Sequence, residues 1–364
     1  MRRLIVGLLC LTNAIVFSQE EPDVFTLDAN YFYGTILQHN AGISHLITDH
    51  PSGVILSFNK KTYGFKPWES RYNYPDWGFS FIYQDMKDSY LGENYGVSAH
   101  YNFYFLKRNL NLRIGQGLAY TTNPYDRETN YSNIAYGSKL MSSTYLMFNY
   151  KKENLFEGLG VQAGLSLIHY SNANVKAPNS STNTFAFNVG ANYMIGYKEE
   201  PEFQPSTESK EFTEKIKYNI AFSAGVNESD IVGTGQFPFY NLAFYADKRI
   251  NRKSALHVGT EAFFAQFLKE LIYYYSVAYQ ERNIDPNTDY KRFGVFVGHE
   301  LFINKMSFLT QLGYYVYYPY DFEGRVYNRI GLKRYFGDQF FGAITLKAHA
   351  AKAEAVEFGI GVRL

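Results

Sequence analysis

Phe185-Ala186-Phe187-Asn188-Val189-Gly190-Ala191-Asn192-Tyr193-Met194-Ile195-Gly196-Tyr197 puts an apolar or aromatic residue at every odd position and, but for Met194, a small or polar one at every even position. A period of two sends those two sets to opposite faces of a β-strand. The pattern recurs along the chain. Tyr95, Val97, Ala99, Tyr101, Phe103 and Phe105 alternate with Asn94, Gly96, Ser98, His100, Asn102 and Tyr104. Ile216, Tyr218, Ile220 and Phe222 alternate with Lys217, Asn219, Ala221 and Ser223, and the chain closes on Val356, Phe358, Ile360, Val362 and Leu364 against Glu357, Gly359, Gly361 and Arg363. A soluble β-sandwich also alternates. Length separates the two readings, because many of these segments run to about ten residues or more, as a tilted membrane strand requires, with aromatics crowding their ends. The 34 Tyr and 31 Phe against 2 Trp, together with 29 Gly, favour strands and turns over helices. The fold class is therefore all-β, an antiparallel transmembrane β-barrel of the bacterial outer membrane.

Sixteen segments carry the signature, near 24–39, 52–64, 77–86, 94–107, 110–121, 138–152, 157–171 and 183–199, then 215–226, 236–249, 254–266, 290–303, 306–318, 325–335, 339–349 and 355–364. An even number suits a bacterial barrel, and short periplasmic turns should alternate with longer outer loops. Lys107-Arg108-Asn109, the Glu153-Asn154 region, Asn251-Arg252-Lys253 and Asn304-Lys305 supply the short turns, while Thr121 to Tyr136 and Leu268 to Thr288 supply long loops. Two connections on the short side, 65–76 and 200–214, are longer than that rule expects. The expected organisation is a first half at 19–199, a polar connection at 200–214 and a second half at 215–364. A single barrel of about 14–16 strands is favoured, and two tandem eight-stranded barrels are the alternative that would explain the connection.

Ahead of the strands, Arg2 and Arg3 precede an apolar run from Leu4 to Phe17 that is too short to span a bilayer, so residues 1–18 read as a signal peptide with the mature chain starting at Gln19. Cys10 is the only cysteine and lies inside that segment, which excludes disulfides and Cys-metal sites from the exported chain. A net charge of +1 without a long basic run argues against nucleic acid as a partner.

Chemistry concentrates at His169-Tyr170-Ser171-Asn172-Ala173, at the end of the seventh strand. His169 and Ser171 continue the odd, apolar face of Val161, Ala163, Leu165 and Leu167, so on an outward-running strand they reach the extracellular rim and face the outer leaflet if that face meets lipid. Polar groups facing lipid are functional candidates by default. An imidazole can take the proton of a serine hydroxyl, a third group fixes its tautomer, and nearby donors hold the oxyanion. Asn183, which shares the parity of Phe185 and Phe187 at the matching rim, fits the third role. Asn172 and neighbouring N–H groups fit the last. The competing reading places His169 and Ser171 simply in an interfacial girdle.

The stretch from His169 to Ala173, followed by Pro178-Asn179 and an alternating strand, resembles the signature of the PagL-type lipid A 3-O-deacylases, a family that includes acyloxyacyl hydrolase-like outer-membrane proteins. The resemblance covers roughly 24–199, is specific only over 165–197, and leaves 215–364 outside. It implies an eight-stranded barrel with a Ser-His-acid site on its lipid-facing outside, hydrolysing the acyl ester at the 3 position of lipid A. Carried over, Ser171 is the nucleophile, His169 the base and Asn172 an oxyanion-hole contributor. The family's glutamate aligns with Asn183 and a family glycine with Asn174. An amide can orient a histidine but cannot stabilise an imidazolium by charge, and the equivalent acid-to-amide change costs ~10⁴ in kcat in a serine protease. Either activity is low or an acid from a loop substitutes.

The implied function is an outer-membrane serine esterase acting on lipid A of lipopolysaccharide, with outer-membrane lipids around it, no cofactor, and protein partners unspecified. The alternative is a non-catalytic barrel serving as a pore or transport channel, which a wide sixteen-stranded lumen would favour. Other features are weaker. His45, Asp49 and His50 have a metal-like spacing in a surface loop without a recognisable fourth ligand. Asp321, Glu323 and Arg325 read as a charged rim, and Lys and Arg near strand ends suit lipopolysaccharide phosphates. His349, 180 residues after His169, lies on the polar face of its strand and is followed by Ala and Lys, so it is either a decayed duplicate or a coincidence, and not a second active site.

Overall fold

A computed structural model describes residues 23–196, 200–209, 211–337 and 339–364; the leader read at 1–18 lies outside them. Eight strands form the first half: β1 (Phe25–Ile36), β2 (Ser52–Lys60), β3 (Asp76–Asp85), β4 (Glu93–Phe105), β5 (Leu110–Thr121), β6 (Leu140–Phe156), β7 (Leu159–Ser171) and β8 (Thr182–Met194). Each pairs antiparallel with the next, and β1 pairs with β8 to close the barrel. The second half repeats the plan with β9 (Lys217–Asn227), β10 (Phe237–Arg249), β11 (Ser254–Ala265), β12 (Arg292–Ile303), β13 (Met306–Tyr317), β14 (Val326–Phe336), β15 (Phe340–His349) and β16 (Lys352–Arg363), closed by β16 on β9. The sixteen antiparallel strands are those expected, but they close as two barrels of eight. The tandem alternative replaces the single barrel, because the hydrogen-bonding edges of β1 and β8 are satisfied by one another before the polar connection begins.

Parity decides what each barrel contains. The outward residues are apolar and open, with Val97 at 61% and Phe187 at 59% exposure, as a lipid-facing wall requires. Among the described residues no helix is long and apolar enough to cross a membrane, so strands alone form these walls. Inside the first barrel, toward the short-turn end, Arg113 is 0% exposed and grips Asp28 through Nη2–Oδ2 at 2.7 Å and Nη1–Oδ1 at 3.1 Å, while its Nε donates to Asn102 Oδ1 at 2.7 Å. Toward the long-loop end the interior turns apolar, with Phe32, Ile55, Ile82, Met147, Ile168 and Tyr170 packed together and Ile43 and Leu46 of a loop closing over them. The second barrel is filled by ion pairs: Arg329 with Glu261 and Glu357, Lys333 with Glu300, and Arg292 and Lys347 with Glu354. Eight strands leave an interior just wide enough for such filling. The wide lumen behind the channel reading is therefore replaced by two narrow, packed interiors.

Two connections differ from the bare loops expected. Segment 65–76 holds a short helix, α1 (Pro67–Arg71), and the outer loop after β11 begins with α2 (Gln266–Ala278). Phe267, Leu268, Leu271 and Ile272 are buried on one face of α2, and Phe267, Leu268 and Leu271 cluster with Phe239 and Ala265 at the rim of the second barrel. Their spacing is helical, a signal hidden by the surrounding strand periodicity.

Removing Arg113 strands the buried Asp28 carboxylate, so Arg113→Leu should destabilise the protein by about 3–5 kcal/mol, and Arg113→Leu with Asp28→Leu should recover much of that loss. Urea unfolding from lipid vesicles, followed by heat-modifiable gel mobility, checks both.

Candidate active site

The site is built on the outward faces of β7 and β8 at the long-loop end. Ile168 and Tyr170 point inward and are 0% exposed, which commits the intervening His169 to the outer wall. His169 lies directly opposite Asn183 in the ladder. Its Nδ1 lies 2.8 Å from Asn183 Oδ1. An amide oxygen only accepts, so this bond requires the proton on Nδ1 and leaves Nε2 with its lone pair, the tautomer a general base needs.

A third residue, absent from the sequence reading, completes the relay. Asn183 Nδ2 faces His39 Nδ1 at 3.3 Å, and His39 Nε2 faces Ser180 O at 2.7 Å. The carbonyl accepts from Nε2–H, so His39 Nδ1 accepts from the Asn183 amide, and the orientation of Asn183 is fixed from both sides. The group behind Asn183 is thus an imidazole and not a carboxylate. Among the described residues, the partners of the Asn183 side chain are His169 and His39, and the substitute acid expected from a loop is not among them. His39 sits three residues beyond the end of β1, and only the closure of β1 onto β8 brings it here; no local sequence pattern marks it.

Ser171 follows on the same face but is covered by the β7–β8 loop and only 6% exposed. Its Oγ donates to Asn179 Oδ1 at 3.0 Å and accepts from the Ala173 N–H at 2.9 Å. The same Asn179 oxygen accepts the Asn172 N–H at 2.9 Å, and the Asn172 side-chain Nδ2 donates to Lys176 O at 2.6 Å. The structure therefore joins His169 to Asn183, and joins Ser171 to Asn172 through Asn179, as two adjacent hydrogen-bonded groups. Asn179, quoted only as part of the motif, is the residue holding the serine.

Polar groups continue sideways from His169 along the outer wall. Thr144 stands opposite it on β6, and Thr144 Oγ1 donates to Gln116 Oε1 at 2.6 Å, while Gln116 Nε2 donates to Ser142 Oγ at 2.9 Å. Exposed Leu118, Leu140 and Leu146 surround this strip. It is a polar window in an otherwise apolar surface.

The remaining candidates lie apart. His45 Nε2 meets Ser132 O at 2.8 Å and His50 Nδ1 meets Gly34 O at 2.9 Å, so the loop histidines take separate backbone partners. Among the described residues no group of three or more His, Cys, Asp or Glu could hold a metal ion. His349 faces the interior of the second barrel, with Nε2 2.8 Å from Glu354 Oε2. Glu323 pairs with Lys352 at 2.5 Å and Arg325 Nη1 donates to Tyr315 O at 3.1 Å, at the rim where the sequence placed them.

Residues 52–192 match the family model of lipid A 3-O-deacylase (PagL), and residues 216–364 match that of acyloxyacyl hydrolase, C-terminal domain. No curated protein matches the chain. Among solved structures, a triple mutant of the Rhodopseudomonas blastica porin aligns at 10% identity over 94% of this chain and 100% of that chain with a TM-score of 0.21. A double mutant of the same porin aligns at 9% identity over 94% and 100% with a TM-score of 0.19. Superpositions this loose carry no weight, and the barrel assignment rests on the closed strand pairing. The two family models together take in both barrels, the first of them containing His169, Ser171 and Asn183, and the chain belongs to the PagL-type lipid A deacylase family of outer-membrane β-barrel proteins.

Proposed function

We propose that this protein is an outer-membrane serine esterase that removes an ester-linked acyl chain from lipid A, with Ser171 as nucleophile, His169 as base, Asn183 as orienting group and Asn172 as an oxyanion donor. The observation that carries the reading is the outward His169–Asn183 pair, at 2.8 Å, which leaves the basic imidazole nitrogen free on the face of β7 that Ser171 continues two residues later. An ester buried in the outer leaflet is presented to that wall and to no interior site.

In the proposed first step the Ser171 side chain rotates from Asn179 toward His169, a change between staggered rotamers. Catalytic hydrogen bonds are often loose without substrate and tighten in the complex. His169 Nε2 takes the hydroxyl proton while Oγ attacks the ester carbonyl carbon. The same rotation releases the Ala173 N–H, which donates to Oγ in the resting arrangement, and the Asn172 N–H joins it as a donor for the tetrahedral oxyanion by leaving Asn179 Oδ1. Collapse returns the proton to the departing sugar oxygen. Water then attacks the acyl-serine by the reverse proton route and releases the fatty acid. Gln116, Ser142 and Thr144 give polar contacts for the sugar region, and exposed leucines beside them take the acyl chains.

Purified protein in lipopolysaccharide-containing vesicles should release free fatty acid, with a matching mass loss in lipid A. Ser171→Ala and His169→Ala should each abolish release without altering heat-modifiable mobility. Lipid A of unchanged mass in the presence of the wild-type protein would remove the proposal.

Because Asn183 cannot stabilise the imidazolium by charge, Asn183→Asp should raise kcat by about tenfold or more, within the ~10⁴ that an acid contributes in a serine protease. Steady-state acyl release by the variant and the wild-type protein, compared in the same vesicles, checks the magnitude.

A further inference from the structure

The β7–β8 loop, 172–181, is gripped from two sides. On one side the loop between β5 and β6 takes Ser180 N–H on Ile134 O at 3.0 Å and Ser181 N–H on Ala135 O at 3.2 Å. On the other side the partner is the second barrel. The Glu228 N–H donates to Asn174 O at 2.8 Å, Glu228 Oε2 accepts the Ala177 N–H at 2.9 Å, and Gln236 Nε2 donates to Val175 O at 2.7 Å. The other Glu228 oxygen accepts the Gly233 and Gly235 N–H groups at 3.2 and 3.1 Å. One buried carboxylate therefore ties the outer loop of the second barrel to the loop that covers Ser171.

Asn174 carries this grip to the nucleophile. Its φ is +61°, a left-handed conformation that favours glycine but that asparagine tolerates, and it stands where the family pattern expects glycine. A glycine would satisfy the backbone and do nothing more. The asparagine side chain reaches in both directions: Nδ2 donates to Ala353 O at 2.8 Å and to Asp230 Oδ1 at 3.2 Å in the second barrel, and Oδ1 accepts from Asn179 Nδ2 at 3.0 Å. Asn179 in turn holds Ser171 Oγ. Two hydrogen-bonded side chains thus separate the serine from the second barrel.

We infer that the second barrel sets the position of the Ser171 loop, with Asn174 and Glu228 as positioning residues that act through Asn179. This rests on the reading of Ser171 as nucleophile. It gives residues 215–364 a part in the reaction without contact with the ester: they hold Asn172 and Asn179 in the register from which Ser171 can turn to His169. A misplacement of about 1 Å transmitted from outside the reacting groups can cost on the order of a hundredfold in rate.

The test uses full-length protein in vesicles and two readouts, steady-state acyl release and the rate at which a fluorophosphonate labels Ser171. Asn174→Gly keeps the backbone conformation and deletes both side-chain links; Glu228→Gln keeps the volume and weakens the grip on Ala177. Each should lower kcat and the labelling rate about tenfold or more, with KM within about twofold and heat-modifiable mobility unchanged. Asn174→Gln, which retains an amide, should recover part of the labelling rate. Wild-type labelling rates in both Asn174→Gly and Glu228→Gln would overturn the inference alone. A wild-type protein that neither labels at Ser171 nor releases fatty acid would overturn the underlying reading, and the inference with it.

Discussion

An eight-stranded barrel has almost no interior to offer. Its radius admits one layer of inward side chains, and here those side chains are spent on Arg113 with Asp28 and an apolar cap in one barrel, and on buried ion pairs in the other. Breaking any of these would leave a charge uncompensated in a place water cannot reach. The interior is thus committed to stability, and chemistry can be hosted only on the outward wall or the loops. The position of His169 and Ser171 follows from that restriction combined with the pleat, which gives each residue on a strand a single choice between inside and outside.

This is why so much could be read in advance. Strand periodicity is local and survives in one sequence, so all sixteen strands were legible, as was the outward parity of His169 and Asn183. Closure is not local. Whether β8 pairs back to β1 or leads on to β9 depends on edges far apart in the chain, and alternation is the same in both cases; only the polar run at 200–214 hinted at the division. His39 escaped for the same reason, since it reaches Asn183 across the closing seam. Asn179 was visible as a motif letter, but its hold on Ser171 and Asn172 depends on how the loop folds back. The helix after β11 was missed because the stretch from Leu268 to Thr288 was read as a long outer loop, and the helical spacing of its apolar residues was not weighed.

The departures of this chain from its family pattern have contrasting physical meanings. At Asn183 an amide replaces a carboxylate, keeping orientation and losing charge, and His39 secures that orientation from behind. At Asn174 an amide replaces a glycine, keeping the left-handed backbone and adding two links. In the proposed mechanism one change removes electrostatic assistance from the imidazole, and the other adds restraint around the serine. Taken together they shift the proposed site from charge toward geometry as its source of order.

The apolar cap inside the first barrel bears on this. Ile168 and Tyr170, the inward neighbours of His169, are buried in one apolar cluster with Phe32, Ile82 and Met147. The wall behind the imidazole is therefore stiff, backed like an anvil by a solid plug where a fluid-filled tube would yield. A lipid arriving from the membrane meets a surface that will not deform toward it, so the adjustment needed for contact falls on the lipid's own acyl chains and on the loop above. Selection among lipids then becomes a matter of which molecules can bend to fit a fixed relief.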